Sequence, residues 1–129
     1  MKKICTNCRQ KLHTDDFYSD RNKCKKCVSI YHARRKQDKF DFVDDVKRAY
    51  GCQFCYEDDI CCFDFHHLDP QTKTSAISIM ITTRQTISKL IDELNKCVCV
   101  CSNCHRKIHA GKIKVYKKHL CRIKQPAVA

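Results

Sequence analysis

Two short stretches hold the residues best suited to chemistry: His66-His67, and Cys101-Ser102-Asn103-Cys104-His105-Arg106-Lys107-Ile108-His109. His105 and His109 are four residues apart, about one helical turn, so a helix across them puts both rings on one face. With His66-His67 this is enough imidazole to bind a divalent cation and leave one ring free as a base. A free imidazole is mostly unprotonated at neutral pH and can take a proton from water. A cation beside it can polarise a phosphate oxygen and neutralise a leaving oxyanion. These are the parts that phosphodiester hydrolysis requires.

The same region begins a thiolate pattern that runs through the chain. Of the 13 cysteines, eight form Cys-x-x-Cys pairs: Cys5/Cys8, Cys24/Cys27, Cys52/Cys55 and Cys101/Cys104. Two intervening residues let both sulfurs reach one tetrahedral ion at about 2.3 Å. The cysteine count is odd, and Met1-Lys2-Lys3-Ile4 has no apolar run behind it, so metal ligation in a reducing, intracellular compartment (cytoplasm, nucleoid or nucleus) is the expectation. Two structural zinc ions would use the eight paired thiolates. The other five, Cys61, Cys62, Cys97, Cys99 and Cys121, read as buried small hydrophobes. His13, His32 and His119 lack any such context and read as surface residues.

The elements that must position these groups are small. The chain has 129 residues, of which 31% are charged, so a large apolar core is not expected. No apolar run reaches the roughly 20 residues of a membrane span, and no membrane partner is expected. The formal charge of +12 favours a polyanion as partner. Basic clusters stand at Arg34-Arg35-Lys36 and from Lys112 to Lys124. Residues 1–27 read as a first zinc module with Leu12, Phe17 and Tyr18 as a minimal core. Residues 28–50 read as helical, with Asp38 or Asp41 able to cap a second segment and Gly51 stopping it. Ile60 to His66 has strand character and Pro70 ends it. Residues 71–85 carry no assignable pattern. Ile87, Leu90, Ile91 and Leu94 mark an amphipathic helix, and Cys97 to Cys101 is a second strand candidate. Ser102 or Asn103 can cap the next helix and Gly111 can close it. Lys112 to Lys124 is open between strand, helix and disorder.

The order strand, connection with its own helix, strand, helix, with Phe65-His66-His67-Leu68-Asp69-Pro70 leading and Cys101-x-x-Cys104-His105-x-x-x-His109 closing, resembles the HNH endonuclease family. That family has the ββα-metal fold, related to the treble clef. The resemblance covers about residues 51–111. It implies a small zinc-stapled α+β protein with an HNH module at 46–115. A zinc-ribbon-like or treble-clef-like extension with a basic helix at 1–45 would precede it, and a basic tail at 116–129 would follow. Carried over, His66 and His105 are ligands of a catalytic cation, and His67 is the general base. His109 contacts the scissile phosphate or supports the metal. Cys52, Cys55, Cys101 and Cys104 hold one structural zinc, as Cys5, Cys8, Cys24 and Cys27 would hold another. The family's central Asn falls at Lys96, so either Asn95 takes that role through a one-residue shift or the role is lost.

The resemblance implies Mg²⁺ or Mn²⁺ first as the catalytic ion, with Ni²⁺ or Zn²⁺ next, and DNA as substrate, with RNA still open. A monomer would nick and a homodimer would cut both strands. A phage, viral or mobile-element origin is implied by resemblance only. Arg106 and Lys107 beside the site, and Arg34, Arg35 and Lys36 from the first module, would contact phosphates, which positions a backbone without reading sequence. Two other readings compete. A non-catalytic zinc module that binds DNA or RNA fits the cysteines and charge equally well, but has no need of the His66-His67 pair. A thiol redox protein is disfavoured because the strand–helix context of a thioredoxin-like motif is absent. Two narrower alternatives also stand: one of His66 and His67 only packs, or His105 is a spare ligand beside a zinc knuckle.

Overall fold

The computed structural model describes residues 1–126 and is a small α+β protein. By internal contacts it divides into two units, Met1–Asp38 and Lys39–Ala129. No helix among the described residues is long and apolar enough to cross a membrane.

In the first unit, β1 (Lys2–Ile4) and β2 (Lys11–His13) pair antiparallel around the turn that carries Cys5 and Cys8. Arg9 follows Cys8 in the left-handed region, φ 63°, where a side chain is disfavoured. Its N–H donates to the Cys5 carbonyl at 2.9 Å, closing the knuckle. A bridge between Phe17 and Cys24 leads into α1 (Lys25–Tyr50). The apolar cluster here is only Cys5, Phe17 and Cys24, with Leu12 and Cys27 against it. So small a core cannot offset the entropy of ordering the chain, and a metal held by the four cysteines would supply the rest.

The long helix α1 is continuous, although a second capped segment at Asp38 or Asp41 is the sequence expectation. It ends at Gly51, whose φ of 62° suits a residue without Cβ and whose N–H reaches the Lys47 carbonyl.

The second unit is built on β3 (Phe63–His67) and β4 (Cys97–Cys101), paired antiparallel with His66 opposite Val98 and His67 opposite Cys97. The strand begins later than Ile60 because the Asp59 carboxylate accepts the Cys61 N–H and caps a 3₁₀ turn over Ile60–Cys62. The unassigned stretch contains α2 (Ile77–Thr82), which buries Ile77, Met80 and Ile81. Lys39, buried, holds this short helix by donating to the carbonyls of Met80, Thr83 and Gln85. The amphipathic helix α3 (Ile87–Leu94) buries Leu90, Ile91 and Leu94 as its periodicity predicts. The last helix, α4 (Ser102–His109), follows β4 without a break. Its cap is the Cys101 sulfur, which accepts the Cys104 N–H at 3.4 Å. Ser102, expected as a cap, instead donates to the Cys62 carbonyl.

The core gathers Val43 and Val46 of α1, Phe63, all of β4, the apolar faces of α2 and α3, and Cys121. Cys97, Cys99 and Cys121 are buried as expected, and burial pushes the first two thiols up to about 12 and the third to about 11. Cys61 and Cys62 depart from the expectation, being exposed and half-buried at the 3₁₀ turn. Of the histidines read as surface residues, His13 is exposed. His32 is half-buried, and His119 packs its ring 4.8 Å from that of Phe54.

Among its described residues the basic tail contains a 3₁₀ turn, Lys117–His119, and it is tied to the core. The Cys121 N–H donates to the Cys97 carbonyl, and the Arg122 N–H to the Tyr50 hydroxyl. Of the tail expected over 116–129, residues 127–129 lie outside the described residues.

If a zinc ion held by Cys5, Cys8, Cys24 and Cys27 stabilises the first unit, Cys24→Ser should lower the zinc content by one ion per chain. It should also collapse the dispersed amide NMR signals of residues 2–24 while those of β3 and β4 persist. Retained dispersion in the first unit after loss of its ion would contradict this account.

Candidate functional site

Two four-cysteine clusters assemble as the spacing anticipates. Cys5, Cys8, Cys24 and Cys27 form one, and Cys52, Cys55, Cys101 and Cys104 the other, with the sulfurs of each within 4.8 Å of one another. The Cys5–Cys27 sulfur separation is 3.9 Å and the Cys55–Cys101 separation 3.5 Å. Sulfurs at about 2.3 Å around a tetrahedral zinc lie roughly 3.8 Å apart, so both sets fit that ion. Burial raises the Cys5 thiol, but N–H donors from Cys24, Cys8 and Asn7 outweigh it and bring the group to about 6. Cys52 is brought to about 7 against burial by the N–H groups of Cys101 and Phe54. One sulfur in each cluster is thereby poised as thiolate, the form that binds metal.

A third cluster joins β3 to α4. His66, His105 and His109 bring ring nitrogens within 4.8 Å of one another. The ring centroids of His66 lie 5.2 Å from His105 and 5.1 Å from His109. The Nε2 atoms of His105 and His109 approach to 3.1 Å. Two nitrogens at about 2.0–2.1 Å from one tetrahedral ion would be roughly 3.3–3.4 Å apart, so the pair converges as a chelate does. Asp64 sits two residues before His66, on the same strand face, and its Oδ2 lies 3.2 Å from His105 Nδ1. An ionised carboxylate only accepts, so Nδ1 carries the proton and Nε2 presents its lone pair. Burial, then the neighbouring His105 and His109, lowers the His66 pKa and keeps its ring neutral.

His67 lies on the opposite strand face with a different set of partners. Its Nε2 is 2.8 Å from Glu93 Oε1. Glu93 is 2% exposed, and Oε1 also accepts the Thr74 N–H while Oε2 accepts from Lys96 Nζ at 2.9 Å. Burial would raise this carboxyl, but Lys96, His67 and the Thr74 N–H hold it down to about 2. It is therefore ionised, so His67 Nε2 bears a proton and Nδ1 is the atom left to act as a base. Lys96 also donates to the Thr72 carbonyl and Thr74 hydroxyl, clasping the loop after β3.

Asn95 does not join this group. Its side chain donates from Nδ2 to the Ile123 carbonyl and accepts the Ile123 N–H at Oδ1, pinning the tail. Lys96, at the position expected for the family's Asn, is the residue that meets the loop and Glu93. Arg106 and Lys107 are exposed on α4 beside the imidazoles, and Arg34, Arg35 and Lys36 are exposed on the first part of α1. Arg35 donates to the Tyr31 hydroxyl.

Sequence reasoning missed Glu93 and Asp64. Glu93 follows the core residue Leu90 by three and precedes Lys96 by three, which puts an acid at the border of the apolar face. Asp64 precedes His66 by two on a strand candidate. Both were visible signals. No known family model, characterised protein or solved structure matches the chain.

Two substitutions separate these roles. Asp64→Asn should weaken Co²⁺ or Zn²⁺ binding to the His66–His105–His109 cluster by roughly 10–100-fold, read by calorimetry on zinc-loaded protein. Asn95→Ala should lower stability by about 1–3 kcal/mol in a urea titration and increase amide exchange around Ile123, leaving that metal affinity unchanged.

Proposed function

We propose that this chain is a metal-dependent endonuclease of the HNH type that hydrolyses DNA phosphodiester bonds one strand at a time. One observation carries the reading: adjacent residues of β3 supply a three-imidazole cluster and a separate, carboxylate-oriented histidine. A module that only binds nucleic acid gains nothing from the second. The ββα-metal assignment is supported by the order of elements. Two antiparallel strands run directly into a helix, with His66-His67 on the first strand, His105 and His109 on the helix, and a four-cysteine cluster at the junction.

His66, His105 and His109 would hold a divalent ion, which would polarise the phosphate and neutralise the leaving oxygen. Three imidazoles suit Zn²⁺, Ni²⁺ or Co²⁺ better than the Mg²⁺ or Mn²⁺ that the resemblance put first. In the reaction, His67 Nδ1 takes a proton from water, the water oxygen bonds to phosphorus, and the phosphorus–O3′ bond breaks. The imidazolium formed at His67 is neutralised by Glu93, which also fixes the ring. Lys96 would do through Glu93 and the loop what the family's Asn does directly. Arg106 and Lys107, with Arg34, Arg35 and Lys36, would grip the phosphate backbone, and the +12 formal charge favours that partner.

The test is nicking of a supercoiled plasmid by zinc-loaded protein with Mg²⁺, Mn²⁺, Co²⁺ or Ni²⁺. His67→Ala should lower the rate by about 10²–10⁴-fold while DNA binding and zinc content are kept. Glu93→Gln should lower kcat with KM unchanged. Tight DNA binding without cleavage by any ion would overturn the nuclease reading in favour of a binding module.

A further inference from the structure

A cavity of about 550 Å³ opens beside the histidines, between the last part of α1, the unpaired edge of β3 and α2. His67 and His105 both line it, as does Asp64, so it reaches side chains from both faces of the strand. Its size falls within the roughly 300–1,000 Å³ of small-molecule sites. Part of the lining is apolar: Val43 from α1, Phe65 from β3, and Ile77 and Ile81 from α2. Phe40 adds an aromatic ring that is 39% exposed. Asp44, Lys47 and Lys73 also line the cavity. The buried Lys39 fixes the wall opposite α1 by binding three carbonyls around the end of α2.

The apolar walls do not serve a phosphate, because an anion against them loses its hydration without replacement. They suit a flat group with π faces and a few polar edges. The two ammonium groups suit the phosphates on either side of such a group. A base within a duplex offers no face to Phe40, since both faces are stacked. An unpaired or flipped-out base does. We propose that this cavity receives the base of one unpaired nucleotide next to the scissile phosphate, so that the enzyme acts preferentially where a DNA strand is extrahelical or distorted. This rests on the nuclease reading for the position of the cut and deepens it by naming the substrate class.

The probe is a fluorescein-labelled DNA duplex with a single-nucleotide bulge, beside the same duplex fully paired. Binding is measured by anisotropy with zinc-loaded protein and no added divalent ion. Cleavage is measured separately with added Mn²⁺, Co²⁺ or Ni²⁺. Wild-type protein should bind the bulged duplex about tenfold more tightly than the paired one. Ser78→Phe, at an exposed position of α2 that lines the cavity, should fill it and bring that ratio to about one. Phe40→Ala should reduce the ratio from the opposite wall. An unchanged zinc content shows that each variant is folded.

Equal wild-type affinities for the two duplexes would overturn the proposal, as would a ratio that survives both substitutions. If the preference is present and sensitive to Ser78→Phe but no ion supports cleavage, the base-binding cavity stands and the nuclease reading falls. If both duplexes are nicked at equal rates and bound equally, the nuclease reading stands and the cavity proposal falls.

Discussion

Cys101 ties three structures together, and the candidate site depends on that junction. It is the last residue of β4, its sulfur caps α4 through the Cys104 N–H, and the same sulfur belongs to a four-cysteine cluster with Cys52, Cys55 and Cys104. A strand that becomes a helix at a fixed residue has no freedom in how the helix leaves it. With the sulfur also bound to metal, the direction of α4 would be set within the first turn. His105 and His109, on the helix begun there, are thereby carried to His66. A metal held at this junction would add a fixed point to the apolar core that already packs around β4.

Strand alternation explains the division of labour between the two adjacent histidines. On the regular strand β3, His66 turns with Asp64 to α4, and His67 turns away to Glu93. A single strand face could not offer both environments. One set is a group of three imidazoles, with a carboxylate fixing a tautomer from behind. The other is a ring held by a buried, ionised carboxylate. The unpaired edge of β3 reunites them, because the cavity there touches His67 and His105 together.

The parts of this arrangement governed by short-range spacing were legible in the sequence. Cys-x-x-Cys pairs, the Ile87–Leu94 helix and the His105–His109 turn are each fixed by geometry within a few residues, and the structure shows them. What depends on distant partners was not. The sequence cannot reveal that the Asp59 carboxylate would take the Cys61 N–H and delay β3, or that a sulfur would displace Ser102 as a cap. The Ile77–Ile81 run carried no readable period because its helix is short and is held by Lys39, 41 residues away from Met80. Asn95 looked like a site residue because its identity matched the family's. Its amide is committed to Ile123, 28 residues on, and only the folded tail shows that.

The contrast between Asn95 and Lys96 bears on how a site can keep its geometry while changing its residues. A neutral amide can hold a loop by hydrogen bonds alone. An ammonium group in the same place brings a charge, and it meets the carboxylate of Glu93, which is almost wholly buried. Removing Lys96 would leave the buried Glu93 carboxylate without its cationic partner, held only by His67 and the Thr74 N–H. His67 then inherits a negative neighbour that an amide would not give it. The Lys96–Glu93 pair both clasps the loop at Thr72 and Thr74 and fixes which nitrogen of His67 carries the proton. Where the resemblance would place an amide, this chain has an ammonium group that, through Glu93, orients the His67 ring.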